Sequence, residues 1–237
     1  MTVSIDSRVS PALDPETYKV EGYDEDTAPF VGCIINAMYD AYVVVGKIHD
    51  ARAAADRNGA WTEDQKVLIV GKEAETQKER VLKRLALAER DIRASIGHTE
   101  KLLSEPLTEK AGLGSLNGEV RAFVLGLDRP KREAFMREVL EANDEQTLTA
   151  VLGAQHFLSG LTAIDHDRYL RLYHEKKQPQ LVRRLDVMKR VLGKFERNIQ
   201  NVHSQFDKAV GASPSVVNRL SKANEQALAA LKIVPTA

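Results

Sequence analysis

This sequence is short of cysteine, aromatic residues and net charge. One cysteine, Cys33, occurs in 237 residues, so no disulfide can close within the chain and no set of thiolates can hold a metal. Cys33 sits in an apolar run, FVGCIINAMY, that reads as helix, where a thiol packs as a small hydrophobe. A reducing location is therefore expected, cytoplasmic or within a particle assembled there. Aromatics make up 5% and leucine and alanine are prominent, a balance that favours helix over sheet. Lys plus Arg and Asp plus Glu stand at 34 each, so no overall field draws the chain to nucleic acid or to a membrane. No uninterrupted apolar run reaches about 18 residues, and no basic segment leads into a hydrophobic one near the N-terminus. Neither a membrane span nor a signal peptide is expected.

The motifs of catalysis are also missing. Gly112-x-Gly114 follows no strand and has the wrong spacing for a dinucleotide loop. VLIVGK at 67–72 lacks the first glycine of a phosphate loop and a hydroxyl residue after Lys72, and the helical period accounts for it. In DHDRYLRLYH, His166 and His174 stand about 12 Å apart along a helix, whereas paired helical ligands sit at i and i+3 or i+4. Asp165 reads as a helix cap, with Tyr169 and Tyr173 as packing residues. His49, His98, His156 and His203 have no partner in sequence. No paired carboxylates, nucleophile triad or cofactor loop stands out. The expectation is a protein without enzymatic activity, cofactor or metal.

What the sequence does contain is helical periodicity. Residues 62–104 read as one long helix. Thr62 and Gln65 form a capping box, and Val67, Val70, Ala74, Val81, Leu85, Ala88, Ile92 and Leu102 line one face. Gln77, Val81 and Leu85 make two consecutive steps of four, a stutter in the seam. Gly97 and then Glu105-Pro106 mark its end. Residues 29–57 form a second helix, with Thr27 as cap, Pro29 in the first turn and Asn58-Gly59 as a left-handed stop. Its apolar face carries Phe30, Ile34, Ala37, Met38, Ala41, Val44, Val45 and Ile48. The two pair as a hairpin with Trp61 at the corner.

Residues 107–118 read as a linker. Three short helices follow, 119–127, one capped by Asp128 that ends near Asn143, and one from Asp144 to about Leu158. Residues 179–210 then carry Leu181, Leu185, Met188, Leu192, Phe195, Ile199, Val202 and Phe206 at alternating intervals of four and three, a heptad seam. Ser213-Pro214 starts a last helix.

The resulting fold class is all-α, a bundle of the hairpin 29–57/62–104 and helix 179–210, with a cluster of short helices over 115–160. Four segments are expected: an acidic extended arm, 1–26; the hairpin, 27–106; a short-helix module, 107–162; and residues 163–237, packing back on 27–106. Alone, the arm has the composition of a disordered tail. Its Asp14, Glu16, Glu21, Asp24, Glu25 and Asp26 face a basic set, Lys176, Lys177, Arg183, Arg184, Lys189, Arg190, Lys194 and Arg197. Together they suggest contact between acidic arm and basic helix, including from one copy to the next. The expected function is structural, a helical subunit of a larger particle that contacts other copies or other proteins. By analogy of architecture, a bacteriophage virion or its assembly machinery is one such setting. The alternative is nucleic-acid binding by the basic stretch 176–197.

Overall fold

The computed structural model describes residues 5–108 and 114–231. Eight α-helices and three short 3-10 helices make up the fold, with no strand among the described residues. The helices are α1 (Ala28–Asp56), α2 (Glu63–Leu102), α3 (Gly114–Gly126), α4 (Arg129–Ala142), α5 (Glu145–Leu152), α6 (Ala163–Lys177), α7 (Pro179–Val210) and α8 (Pro214–Ala230). The chain divides into two compact units, Met1–Ala94 with Val187–Ala237, and Ser95–Asp186. These divisions fall inside α2 and α7, whereas the sequence suggests breaks near 106 and 162.

The first unit is a helical bundle. α1 and α2 are antiparallel: Arg84 pairs with Asp40, and Arg52 with Glu63. α2 and α7 are also antiparallel, tied by Arg93 to Glu196 and by Lys78 to Asp207 at 3.6 Å. The expected capping box opens α2. The Thr62 N–H donates to Gln65 Oε1 at 2.9 Å, and the Gln65 N–H donates to Thr62 Oγ1 at 3.3 Å. Val67, Val70, Ala74, Val81, Leu85, Ala88 and Ile92 are all buried. Lys78, not Gln77, completes their row, so the two consecutive steps of four fall at 70, 74 and 78. On α7, Leu185, Met188, Leu192, Phe195, Val202 and Phe206 are buried, while Leu181 and Ile199 are half-buried. α1 buries Val31, Ile34, Ala37, Met38, Ala41, Tyr42, Val45 and Ile48. By length and composition it could also cross a membrane. A core helix needs the same composition.

Several local expectations give way. Thr27 precedes α1 with αR backbone, not the extended conformation a cap needs, and makes no side-chain cap. Its Oγ1 instead accepts from the Asp24 N–H at 2.8 Å, in the turn leading into the helix. Residues 58–59 are not left-handed: Gly59 has no positive φ. Asn58 Oδ1 accepts from the Ala60 N–H at 3.0 Å, a side-chain turn that does the same job. Trp61 is exposed rather than plugged into the corner. Gly97 lies within α2, which runs to Leu102, and Leu103 is the residue buried at its end.

In the second unit, Val124 of α3, Met136, Val139 and Leu140 of α4, Leu148, Val151 and Leu152 of α5 and Tyr169 and Leu170 of α6 close a core. α3 begins at Gly114, five residues before its expected start. Of the expected linker, residues 109–113 lie outside the described residues. Asp128 caps α4, and Asn143 ends it in the left-handed conformation. Asp144 caps α5, but that helix stops at Leu152, and a 3-10 turn, His156–Ser159, takes the remaining residues. Thr162, not Asp165, caps α6, its Oγ1 accepting from the Asp165 N–H at 3.1 Å. Arg132 braces the unit by donating to the carbonyls of Val124, Leu125 and Leu127 at the end of α3 and to that of Gly160.

Candidate interaction surfaces

The acidic segment is not an extended arm. Pro11–Leu13 and Pro15–Tyr18 are 3-10 helices, and Val9, Leu13, Pro15 and Tyr18 are buried. Ser10 and Asp14 cap these turns with side-chain oxygens, so turn chemistry supplies the order that composition alone does not suggest. The arm lies on α1 and α7 of its own chain. The Asp6 N–H donates to the Tyr42 hydroxyl, the Ser10 N–H to Gln205 Oε1 at 3.0 Å, and Asn198 Nδ2 to the Tyr18 hydroxyl at 3.3 Å. Arg190 pairs with Glu21 at 3.0 Å. Lys194 donates to the Thr17 carbonyl and stands 5.7 Å over the Tyr18 ring. Burial raises the pKa of Tyr18, and hydrogen bonding to Arg8 lowers that of Asp6 to about 2. Of the remaining acidic residues, Asp14 and Asp24 hold local turns and Glu16 pairs with Lys19. Glu25 and Asp26 are exposed.

The basic set is divided between the two units. Lys176 and Lys177 close α6, and together with Arg183 and Arg184 they belong to the second unit; Lys189, Arg190, Lys194 and Arg197 belong to the first. Lys176 donates to the carbonyls of Leu140 and Glu141 at 2.8 and 2.9 Å, a cation at the carbonyl end of α4. Lys177 pairs with Glu145. Arg183, Arg184 and Lys189 also have partners. Arg197 is exposed.

The histidines of DHDRYLRLYH bond to backbone. His166 Nε2 is 3.1 Å from the Leu152 carbonyl, and His174 Nε2 is 2.7 Å from that of Glu105. Among the described residues, no three His, Cys, Asp or Glu side chains converge to hold a metal. Cys33 is half-buried, and burial raises its thiol pKa.

Three surfaces escaped the sequence reading. A cleft of about 490 Å³ opens between α2, the end of α7 and α8, lined by Glu75, Lys78, Glu79, Asp207 and Ser221. A groove of about 390 Å³ runs along the α1–α2 hairpin, with Val43, Val44, Ile48, Val70 and Val81 on its floor. The third is α8, which has no buried residue. Val217 rests on Gly71 so closely that a Cβ there would approach it to 2.8 Å. From Glu225 onward every described residue is exposed, Leu228 at 54% and Leu231 at 73%. A period-3.6 apolar face in sequence gives no sign of whether a partner within the chain will cover it. In the second unit, Phe123, Leu125, Phe157 and Ile164 are exposed as well.

The arrangement defines a helical-bundle protein with uncovered apolar helix surfaces. Comparison with family models, curated proteins and solved structures finds no match.

Proposed function

We propose that this chain is a non-enzymatic structural subunit that associates with other copies or other proteins through helix surfaces. The observation that carries the reading is α8, a 17-residue helix with no buried residue, with Leu228 exposed in its last turn and Leu231 exposed at its C-cap. A bundle that leaves the second half of an amphipathic helix, from Glu225 onward, in solvent gains little from that half as a monomer, since most helical stability comes from packing an apolar face. A particle such as a bacteriophage virion, or the machinery that assembles one, is a setting that suits such a subunit. Light scattering across concentration tests the reading: oligomers are expected, and a monomer at high concentration and low salt refutes it.

The nucleic-acid alternative draws less support, because Lys176, Lys177, Arg190 and Lys194 are engaged within the chain. Salt-sensitive gel retardation that weakens when Arg183, Arg184 and Arg190 are replaced would restore it. The cleft beside α8 favours a second reading, a small-molecule site. It gathers charged side chains around Lys78, which is 9% exposed. Its hydroxyls are engaged on their own helices, Ser221 donating to Glu225 and Thr76 to the Lys72 carbonyl. A thermal-shift screen of small anions against the protein and Lys78→Met tests that reading.

A further inference from the structure

The buried row on α2 is apolar except at one position. Val67, Val70, Ala74, Val81, Leu85, Ala88 and Ile92 fill it, and Lys78 stands among them, 9% exposed. Among the described residues its ammonium makes no hydrogen bond, and the Asp207 carboxylate stands off at 3.6 Å. A buried cation so weakly compensated adds little to the stability of the bundle. What Lys78 does is line the cleft of about 490 Å³ between α2, the end of α7 and α8, a volume within the range of about 300–1,000 Å³ that takes small molecules.

The wall opposite points to the same kind of ligand group. Ala212 and Pro214, at the start of α8, line this cleft too. Ser213 does not cap that helix with its side chain, and its hydroxyl lies 2.9 Å from that of Ser215. The first-turn amides of α8 therefore lack a side-chain acceptor, and such a helix start attracts a carboxylate or phosphate. The cleft also holds charge of the other sign. Glu75 and Glu79, one turn apart on α2, line it and make no ion pair among the described residues. Like charges at that spacing repel, and a cation beside them relieves the repulsion. A simple anion in this cleft meets Glu75, Glu79 and Asp207, and a simple cation meets Lys72 and Lys78. A molecule that carries both signs finds a partner for each. Between the charges the walls are apolar, formed by Ala74, Phe206, Val210 and Val217.

We propose that this cleft binds a small zwitterion, an amine and a carboxylate on one apolar frame, of which an apolar α-amino acid is the simplest. Its carboxylate sits with Lys78 and the start of α8, its ammonium with Glu75 and Glu79, and its side chain against Phe206 and Val217. Bound there, it joins α2 to α8 and holds down a helix that has no buried residue of its own. The proposal rests on the small-molecule reading of the cleft and names its ligand class.

The experiment titrates the full chain with L-valine, L-leucine and L-phenylalanine, and with two single-charge relatives of leucine. These are 4-methylpentanoate, which lacks the amine, and 3-methylbutylamine, which lacks the carboxylate. Calorimetry reads affinity, and amide exchange over residues 215–221 reads the clamping of α8. The best of the amino acids is expected to bind about tenfold or more tightly than either relative, since each relative loses a charge-assisted contact, and to slow exchange over 215–221. Lys78→Met should weaken amino-acid binding about tenfold or more and leave that of 3-methylbutylamine unchanged. Glu75→Gln with Glu79→Gln should weaken amino-acid binding and leave that of 4-methylpentanoate no weaker. Urea midpoints of these variants should not fall, which separates lost binding from lost fold. Amino-acid binding that ignores the Lys78 and glutamate changes, or 4-methylpentanoate that binds as tightly as leucine, overturns the zwitterion while the small-molecule reading stands. No binding of any of the amino acids also overturns it, and if the anion screen is empty as well, the small-molecule reading falls with it.

Discussion

Replacing Tyr18 with alanine tests whether the acidic segment is part of the folded body. Tyr18 is fully buried although it lies in the chain's most acidic stretch. Its hydroxyl donates to the Ala12 carbonyl at 3.2 Å and accepts from Asn198 at 3.3 Å, and its ring underlies Lys194. Emptying a site filled by a large aromatic ring costs about 3–5 kcal/mol where the surroundings cannot collapse. Tyr18→Phe keeps the ring and loses two hydrogen bonds of about 0.5–1.5 kcal/mol each, so it should cost about 1–3 kcal/mol. Urea unfolding followed at 222 nm measures both. A second readout separates two routes to the same loss. If the arm undocks before the helices melt, the global cost of Tyr18→Ala is capped at the arm's docking free energy, and limited proteolysis will cut within residues 5–22. If arm and bundle unfold together, the midpoint falls with no new cleavage. A cost under about 1 kcal/mol with no new cleavage would refute the reasoning, because a fully buried anchor would then contribute nothing.

The other predictions address single interactions. Lys78→Met should be neutral or slightly stabilising, because a buried ammonium whose nearest carboxylate is at 3.6 Å recovers little of its desolvation cost. Asp207→Ala, which removes the carboxylate paired with that ammonium, should cost about 1 kcal/mol in urea unfolding. His49 Nε2 is buried with no hydrogen-bond partner, and burial, then the Arg8 and Lys208 charges, lower its pKa, with Asp6 opposing. The unfolded chain therefore takes up that proton more readily, so stability is full above about pH 6.5 and falls as pH drops below it. Asp6, lowered to about 2 by Arg8, contributes stability above about pH 4 that is lost as pH falls through 2. His49→Gln should flatten the pH 5–7 part of the stability profile and leave the more acidic part. Arg132→Lys gives up a fork that reaches four carbonyls and should cost about 2–3 kcal/mol, read as lost amide exchange protection over residues 114–170. Gly71→Ala should loosen α8 despite about 1 kcal/mol of better helix propensity, because the new Cβ meets Val217. Faster amide exchange at residues 216–224 would report it, and unchanged protection would count against the contact.

The long helices were legible because each repeats one simple rule over many turns. The reciprocal bonds of Thr62 and Gln65, the start of α7 at Pro179 and the buried row along its seam all follow from local pattern. Helix ends were less legible where two devices compete. Thr27 is a good cap by type, but its oxygen is taken by Asp24. Asn58-Gly59 is a good left-handed stop by type, but an asparagine side-chain turn makes it unnecessary. Gly97 costs α2 some stability without ending it, as packing outweighs propensity. Composition points to an extended arm because it averages over the residues, whereas four buried side chains, Val9, Leu13, Pro15 and Tyr18, decide its fate. The candidate site was the least legible part. The basic residues are plain in the sequence, but whether each meets a carboxylate, a carbonyl or solvent depends on elements distant in sequence, as Lys176 at the end of α4 illustrates.

The disposition of charge and of apolar surface points the same way. A chain with equal numbers of acidic and basic residues can pair them within itself or hold them apart on separate faces for partners. This chain pairs many of them within each unit, through Arg84 and Asp40, Arg93 and Glu196, Arg190 and Glu21, and Lys177 and Glu145. Ion pairs at that level of exposure contribute about 0–1 kcal/mol each and fix register more than they stabilise. The seams of α1, α2 and α7 are buried, while the apolar end of α8 and the hairpin groove face solvent. If association runs through those two surfaces, its core is apolar with a charged rim. Raising salt to about 1 M, where the screening length is about 3 Å, should then slow the encounter of copies but leave the assembled state in place. Dissociation at that salt would mean instead that charge, through the arm and the basic helix, holds the copies together.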